Sequence, residues 1–282
     1  MSLIKHLKEQ NTGLKFKDFF SGKTTSDEGF RDHIYNSIPS YKEMEKLTSD
    51  ALVDMYKNKG IMLDIGASEG QWGKYVSDRS NGNIITHNLD PNKEMKDTFE
   101  RDPVEGAKYI QRAFGDGFTD GDEEIKGYKP KNRYDVVRES MTFQFISTDR
   151  DSQYKMAKDA LKDGGIFITN SKTHLRDKDE YQKYEKLKDL YKRQSFTDAE
   201  IKKKAKEVLP TMSKYMVDLK YTFNALNKHF KYVREYWTSG NFHGFVASDD
   251  KTKIERFLNY LPQSKGFPNS VEGKIIDPIA ID

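Results

Sequence analysis

The sequence predicts a doubly wound α/β domain built on a seven-stranded, mostly parallel sheet, and three observations carry that expectation. Short apolar runs alternate with helical patterns through the middle of the chain. One such run, Ile61 to Ile65, passes straight into a turn of small residues. Two β-like segments close the pattern side by side, as an antiparallel pair does at the edge of a parallel sheet.

Taken in order, residues 1 to about 58 read as helical. Apolar residues at helical spacing run from Phe30 to Ile38 and stop at Pro39, and a second stripe follows through Met44, Leu47, Leu52, Val53 and Met55. After the strand Ile61 to Ile65 comes an amphipathic helix through Trp72, Tyr75 and Val76. The next strands are Ile84 to Leu89, Lys108 to Gln111, Tyr134 to Arg138 and Ile166 to Thr169. Helices Lys93 to Arg101 and Asp151 to Leu161 lie between them, the latter expected to stop at a glycine cap, Gly164 and Gly165. The polar stretch 115–131 reads as a loop. From Asp177 to about His229 the pattern is helical and basic, an insertion before the last two strands, Tyr232 to Trp237 and Phe242 to Ala247. This divides the chain into a helical cap (1–58), an α/β domain (59–250, with the insertion at 177–229) and a C-terminal extension (251–282).

Composition narrows the function. With 282 residues the chain can bury a full core, and 12% aromatic content argues against disorder. The formal net charge is +3, so nothing global demands nucleic acid as a partner, though it is not excluded. There is no cysteine, which removes disulfides, thiolate metal sites and a cysteine nucleophile. No apolar run approaches the roughly 20 residues of a membrane span. A cytoplasmic protein without a membrane partner is expected, and a homo-oligomer is left open.

The chemistry is expected in the run Asp64-Ile65-Gly66-Ala67-Ser68-Glu69-Gly70. Small residues let a ligand lie against bare backbone, and the helix that follows offers unpaired amides and the positive end of its dipole. The dinucleotide fingerprint fails here, because Ser68 and Gln71 stand where its second and third glycines belong. About two dozen residues on, Asp90 ends the second strand, where one carboxylate can accept both hydroxyls of a ribose. Ala113 and Phe114 are expected beside an adenine, and Arg138-Glu139-Ser140-Met141 at the opening.

The pattern acid-x-Gly-x-Gly-x-Gly resembles the first motif of class I S-adenosylmethionine-dependent methyltransferases, with Ser68 in place of the middle glycine. Further stretches are similar to one branch, the carboxy-S-adenosylmethionine synthases, over roughly residues 27 to 248. They include Ser37-Ile38-Pro39-Ser40-Tyr41, Met141-Thr142-Phe143-Gln144-Phe145, Leu161 to Ser171, Tyr191-Lys192-Arg193 and Tyr236 to Ala247. The resemblance implies S-adenosyl-L-methionine as cofactor and S-adenosyl-L-homocysteine as product. It implies that Tyr41 reaches over the cofactor, that Gly66 to Ser68 touch its methionine part and that Asp90 holds its ribose.

Three departures bear on activity. Ala113-Phe114 replaces the branch's Asp-Ile, Ser140 its asparagine, and Ala205 or Lys206 falls near its carboxylate-binding arginine. The expectation is therefore a methyltransferase of unknown acceptor, with a synthase that alters the cofactor, or a non-catalytic scaffold, as alternatives. Tyr41, Glu139 and His243 are the candidates for shaping or deprotonating the acceptor. The lysines at 183, 186, 188, 192, 202, 203, 204 and 206 are interleaved with acids and read as a solvated surface. His174, His229 and His243 are too scattered for a metal triad, and the acids from Asp116 to Glu124 lack a calcium-loop pattern.

Overall fold

The structure is a computed structural model that describes residues 30–114, 132–175 and 177–262. The expected loop at 115–131, the first 29 residues and the tail beyond 262 lie outside the described residues. Seven strands form one sheet: β1 (Gly60–Ile65), β2 (Ile84–Leu89), β3 (Ala107–Ile110), β4 (Tyr134–Ser140), β5 (Leu161–Lys172), β6 (Tyr232–Ser239) and β7 (Phe242–Ser248). Their order is β3-β2-β1-β4-β5-β7-β6. The first five pair in parallel, and β7 runs antiparallel to both β5 and β6.

Nine helices are described: α1 (Phe30–Tyr35), α2 (Tyr41–Tyr56), α3 (Gln71–Arg79), α4 (Lys93–Arg101), α5 (Arg150–Ala160), α6 (Lys178–Lys192), α7 (Asp198–Tyr215), α8 (Leu219–His229) and α9 (Lys251–Asn259). None is long and apolar enough to cross a membrane.

Strand periodicity sorts the core into two layers. Met62, Val136, Ile166, Ile168 and Val246 point to one face and meet α2, α3 and α9 through Leu52, Val76 and Phe257. Their neighbours Leu63, Val137, Phe167, Phe245 and Ala247 point to the other and meet α5 and α8 through Tyr154, Ala157 and Leu226. A period of two with both faces apolar is what a sheet covered on both sides requires. Thus α8 belongs to a helical layer of the sheet, while α6 and α7 are what the insertion adds over the strand ends.

One boundary differs in kind from expectation. Helix α5 ends at Ala160 and the chain enters β5 at once, so Gly164 and Gly165 do not cap the helix. Tyr134 pairs with Leu161 but Val136 with Ile166, so two steps along β4 span five along β5. Gly164, at φ 66°, turns this irregular stretch out of the ladder. Downstream β5 continues to Lys172, three residues past its expected end, carrying Asn170 and Lys172 into the interior.

Candidate functional site

A cavity of about 560 Å³ opens where β1, β2 and β4 end, bordered below by Gly66, Ser68, Asp90 and Ser140 and above by α6 and α7. The crevice outside the carboxyl ends of the strands is where open α/β sheets bind ligands. Ala113, Phe114, Met141 and Thr142 also line it. Beside it a smaller space of about 60 Å³ is lined by Tyr41, Asp64, Gly66, Ala67, Ser68 and Arg138. Of the ten residues expected to hold a cofactor, Gly70 alone borders neither space.

Gly66 and Gly70 have a physical cause inside the protein. Both sit at positive φ, 70° and 67°. A Cβ on Gly66 would strike the Thr142 side chain, and one on Gly70 the Phe99 ring. Gly70 is therefore a turn and packing residue. The amides of the loop are also spoken for: Gly66 N–H and Ala67 N–H donate to Leu89 O at 2.8 and 3.1 Å, and Gly70 N–H to Ala67 O at 2.8 Å. The first two tie the loop to the tip of β2, and the third closes the turn itself. What the loop presents to the cavity is bare backbone at Gly66 and Ser68, the latter at φ 51°.

Asp90 is fixed by two backbone donors. Ser68 N–H donates to Oδ2 at 3.0 Å and Asn92 N–H to Oδ1 at 2.9 Å. Burial outweighs these bonds and pushes the carboxyl up to about 6. Each oxygen keeps a lone pair for a further donor. The cap of α4 belongs to Asn92, whose side chain accepts from Glu94 N–H, so Asp90 is not spent as a helix cap.

Arg138 is the group whose importance the sequence hid. Its guanidinium reaches Asp64 Oδ1 at 2.8 Å and Glu45 Oε1 at 2.6 Å and lies 4.7 Å from the Trp72 ring centre. All three charged side chains are buried. The motif acid Asp64 is thereby held by a cation on the neighbouring strand, and Glu45 ties α2 to the same point. Tyr41 Oη lies 2.6 Å from Ser140 Oγ, and burial raises its phenol well above the ordinary value. The available signal was a cation directly after two valines in a strand, since a charge carried into a sheet interior demands partners.

Two candidates for the acceptor chemistry stand elsewhere. Glu139 points to the opposite side of β4, where its carboxylate accepts from Thr142 N–H, Phe143 N–H and Thr169 Oγ1 at 2.6, 2.9 and 2.5 Å. It is fully buried, its carboxyl pushed up by burial, and it orders the turn after β4. His243 is buried against Glu235 at 2.5 Å and borders neither space. Neither lines the cavity, because strand alternation turns each to another side.

The basic helices divide by face. Lys183, Lys186, Lys202, Lys203 and Lys206 are exposed, as expected for a solvated surface. Lys188, Lys192 and Lys204 instead line the cavity. Burial first, and repulsion from a neighbouring lysine second, lower all three to about 8. The i, i+4 spacing of Lys188 and Lys192 was visible in the sequence, but the direction of that face was not.

No family model matches the chain. Among curated proteins it is 28% identical to a carboxy-S-adenosyl-L-methionine synthase of Nitratiruptor sp., over 77% of this chain and 88% of that one. A synthase of the same name from Staphylococcus epidermidis is 25% identical over 82% and 97%. Among solved structures the plantazolicin methyltransferase BpumL aligns at TM-score 0.53, 13% identity, over 88% of this chain and 98% of that one. A phosphoethanolamine N-methyltransferase of Haemonchus contortus aligns at TM-score 0.52, 13% identity, over 89% and 61%. These structural likenesses concern the fold. The chain thus has the fold of the class I S-adenosylmethionine-dependent methyltransferases and is similar, over most of its length, to the carboxy-S-adenosyl-L-methionine synthases, from which it diverges widely in sequence.

Proposed function

We propose that this protein binds S-adenosyl-L-methionine at the ends of β1, β2 and β4 and transfers its methyl group to an acceptor entering beneath α6 and α7. The observation that carries this reading is the cradle at Gly66 and Ser68 joined to the Asp90 carboxylate by the 3.0 Å bond from Ser68 N–H. The donor set suits the cofactor part by part. Asp90 accepts from ribose hydroxyls, and bare backbone at Gly66 admits the adenosyl-methionine junction. Arg138, Asp64 and Glu45 around the smaller space complement the carboxylate and ammonium of an amino acid. A volume of 560 Å³ lies within the roughly 300–1,000 Å³ of small-molecule sites.

When bound, the cofactor supplies a methyl carbon already activated by its sulfonium. The residues here then have to hold, align and keep water out. Ser140, braced by Tyr41 Oη and by Asn170 Nδ2 at 3.2 Å, is fixed at the opening. Met141, Phe145, Ile146 and Met212 give the space above it apolar walls.

A carboxy-S-adenosylmethionine synthase is the second reading, and the curated relatives favour it. The helix expected to bring the carboxylate-binding arginine presents Lys204, Ala205 and Val208 instead, and no described arginine lines the larger cavity. A lysine lacks the planar two-pronged fork of a guanidinium. Mass spectrometry of ligand released from purified protein separates the readings. S-adenosylmethionine or S-adenosylhomocysteine is expected, whereas the carboxylated derivative would transfer the claim to the second reading, and an empty protein to a scaffold. In calorimetry with S-adenosylhomocysteine, Asp90→Ala should lose about 100-fold in affinity, or 2.7 kcal/mol. Unchanged affinity would refute the ribose assignment.

A further inference from the structure

Three lysines with two carboxylates between them line the helical end of the cavity, and a fourth, Lys172, reaches one of those carboxylates from the interior. Lys172, fully buried on β5, and Lys188 share Glu185, at 2.7 and 2.5 Å. Lys192 stands 3.6 Å from Asp189. Lys204 on α7 forms no ion pair with a described residue, and the carboxylate whose field reaches it is Glu207, exposed one turn on. His33, on α1, faces the same lysines and adds no charge, since burial and the fields of Lys204 and Lys192 push it down to about 3.

The surroundings make this surplus expensive. Val208, Leu209, Met212 and Phe242 form the rest of that wall. Burial leads in lowering Lys188, Lys192 and Lys204 to about 8, and repulsion adds to it along the row, from Lys172 on Lys188, Lys188 on Lys192 and Lys192 on Lys204. Buried cations in excess of their counter-charges stabilise nothing by themselves, whereas an anion placed among them would recover the Coulomb energy.

We propose that this end of the cavity is the acceptor subsite and takes a small anionic acceptor, its carboxylate or phosphate held by Lys192 and Lys204 with Lys188 behind them. The assignment rests on the methyl-transfer reading. In that transfer the acceptor's nucleophilic atom bonds the methyl carbon as the carbon–sulfur bond breaks, the sulfur keeps the electron pair, and a neutral nucleophile gives its proton to solvent. The anionic group and the cofactor share the 560 Å³ of the cavity.

The test titrates inorganic phosphate, malonate and, as a cationic control, choline into the protein by calorimetry, alone and saturated with S-adenosylhomocysteine. Saturable binding of phosphate or malonate and none of choline is expected, and whichever anion binds more tightly names the group. Lys204→Met and Lys192→Met should each weaken that binding by about tenfold or more. Lys204→Arg should retain it, the exposed Lys203→Met should leave it unchanged, and affinity for S-adenosylhomocysteine should stay within about twofold throughout. No saturable anion binding, or equal binding by Lys204→Met and Lys192→Met and the wild type, overturns the subsite. A wild-type protein that fails to bind S-adenosylhomocysteine overturns the methyl-transfer reading instead, and the titrations of the protein alone still decide whether the lysines hold an anion.

Discussion

At the strand end of the cavity Arg138 is gripped by two carboxylates and Asp90 by two backbone amides, whereas at the helical end three lysines, with Lys172 reaching in from the interior, divide two carboxylates. The first arrangement is complete without a ligand. Each charged group there already has a partner inside the protein, one guanidinium facing two carboxylates and Asp90 two backbone amides. The second is incomplete, with its cations held apart by helix geometry and each depressed by a neighbour. The two ends differ in origin as well: the strand end is built from the sheet and its loops, the helical end from α6 and α7, which the insertion supplies. A cofactor common to many enzymes suits the one, and a substrate particular to this protein suits the other.

The largest expected effect breaks the completed end. Arg138→Met removes the cation between Asp64 and Glu45 and leaves two buried carboxylates uncompensated, which should cost about 3–5 kcal/mol in the denaturant unfolding free energy. A loss under about 1 kcal/mol would mean that Arg138 does not hold the two carboxylates as described. Lys204→Met, at the other end, should act with the opposite sign. A lysine lowered on folding contributes stability that is full above its unfolded value near 10.4 and lost as pH falls through about 8. At pH 7 its charge therefore opposes folding, and the ligand-free variant should be more stable by about 1–2 kcal/mol after allowing for partial solvent screening. Destabilisation by Lys204→Met would erase the contrast between the two ends.

The smallest effect sharpens it through pH. Cofactor hydroxyls need the ionised Asp90 carboxylate, which burial has pushed up to about 6. Affinity for S-adenosylhomocysteine should be level above that pH and fall by up to about tenfold for each unit below it, or 1.4 kcal/mol. His33, held near 3, adds no titration in that window. A flat profile from pH 7 to 4.5 would show that Asp90 does not take part.

Much of the fold was legible because strand alternation and turn residues are local signals. Ile84–Leu89 and Lys93–Arg101 stand where the periodicity put them, and Gly66 and Gly70 occupy the positive-φ positions that favour glycine. The glycine pair 164–165 misled, because a cap and a strand irregularity ask for the same backbone freedom. At the site, Gly66, Ser68, Asp90 and Ser140 gather at one opening because parallel strands end at one edge. Glu139 and His243 looked equally suitable as residue types. Which side of its strand each one faces, and so that neither lines the cavity, only the folded chain shows.

By itself the sequence determined the alternation of strands and helices, the sharp turn after β1, and the acid at the tip of β2. Each of these is written within a few neighbouring residues as a periodicity or a conformational need. Only the tertiary structure decided that Arg138 pairs with both Asp64 and Glu45, and that three lysines of the insertion turn inward while five turn out. Those outcomes depend on residues up to 93 positions apart meeting in space, and the chain encodes such meetings through the packing of whole layers, not through any local pattern.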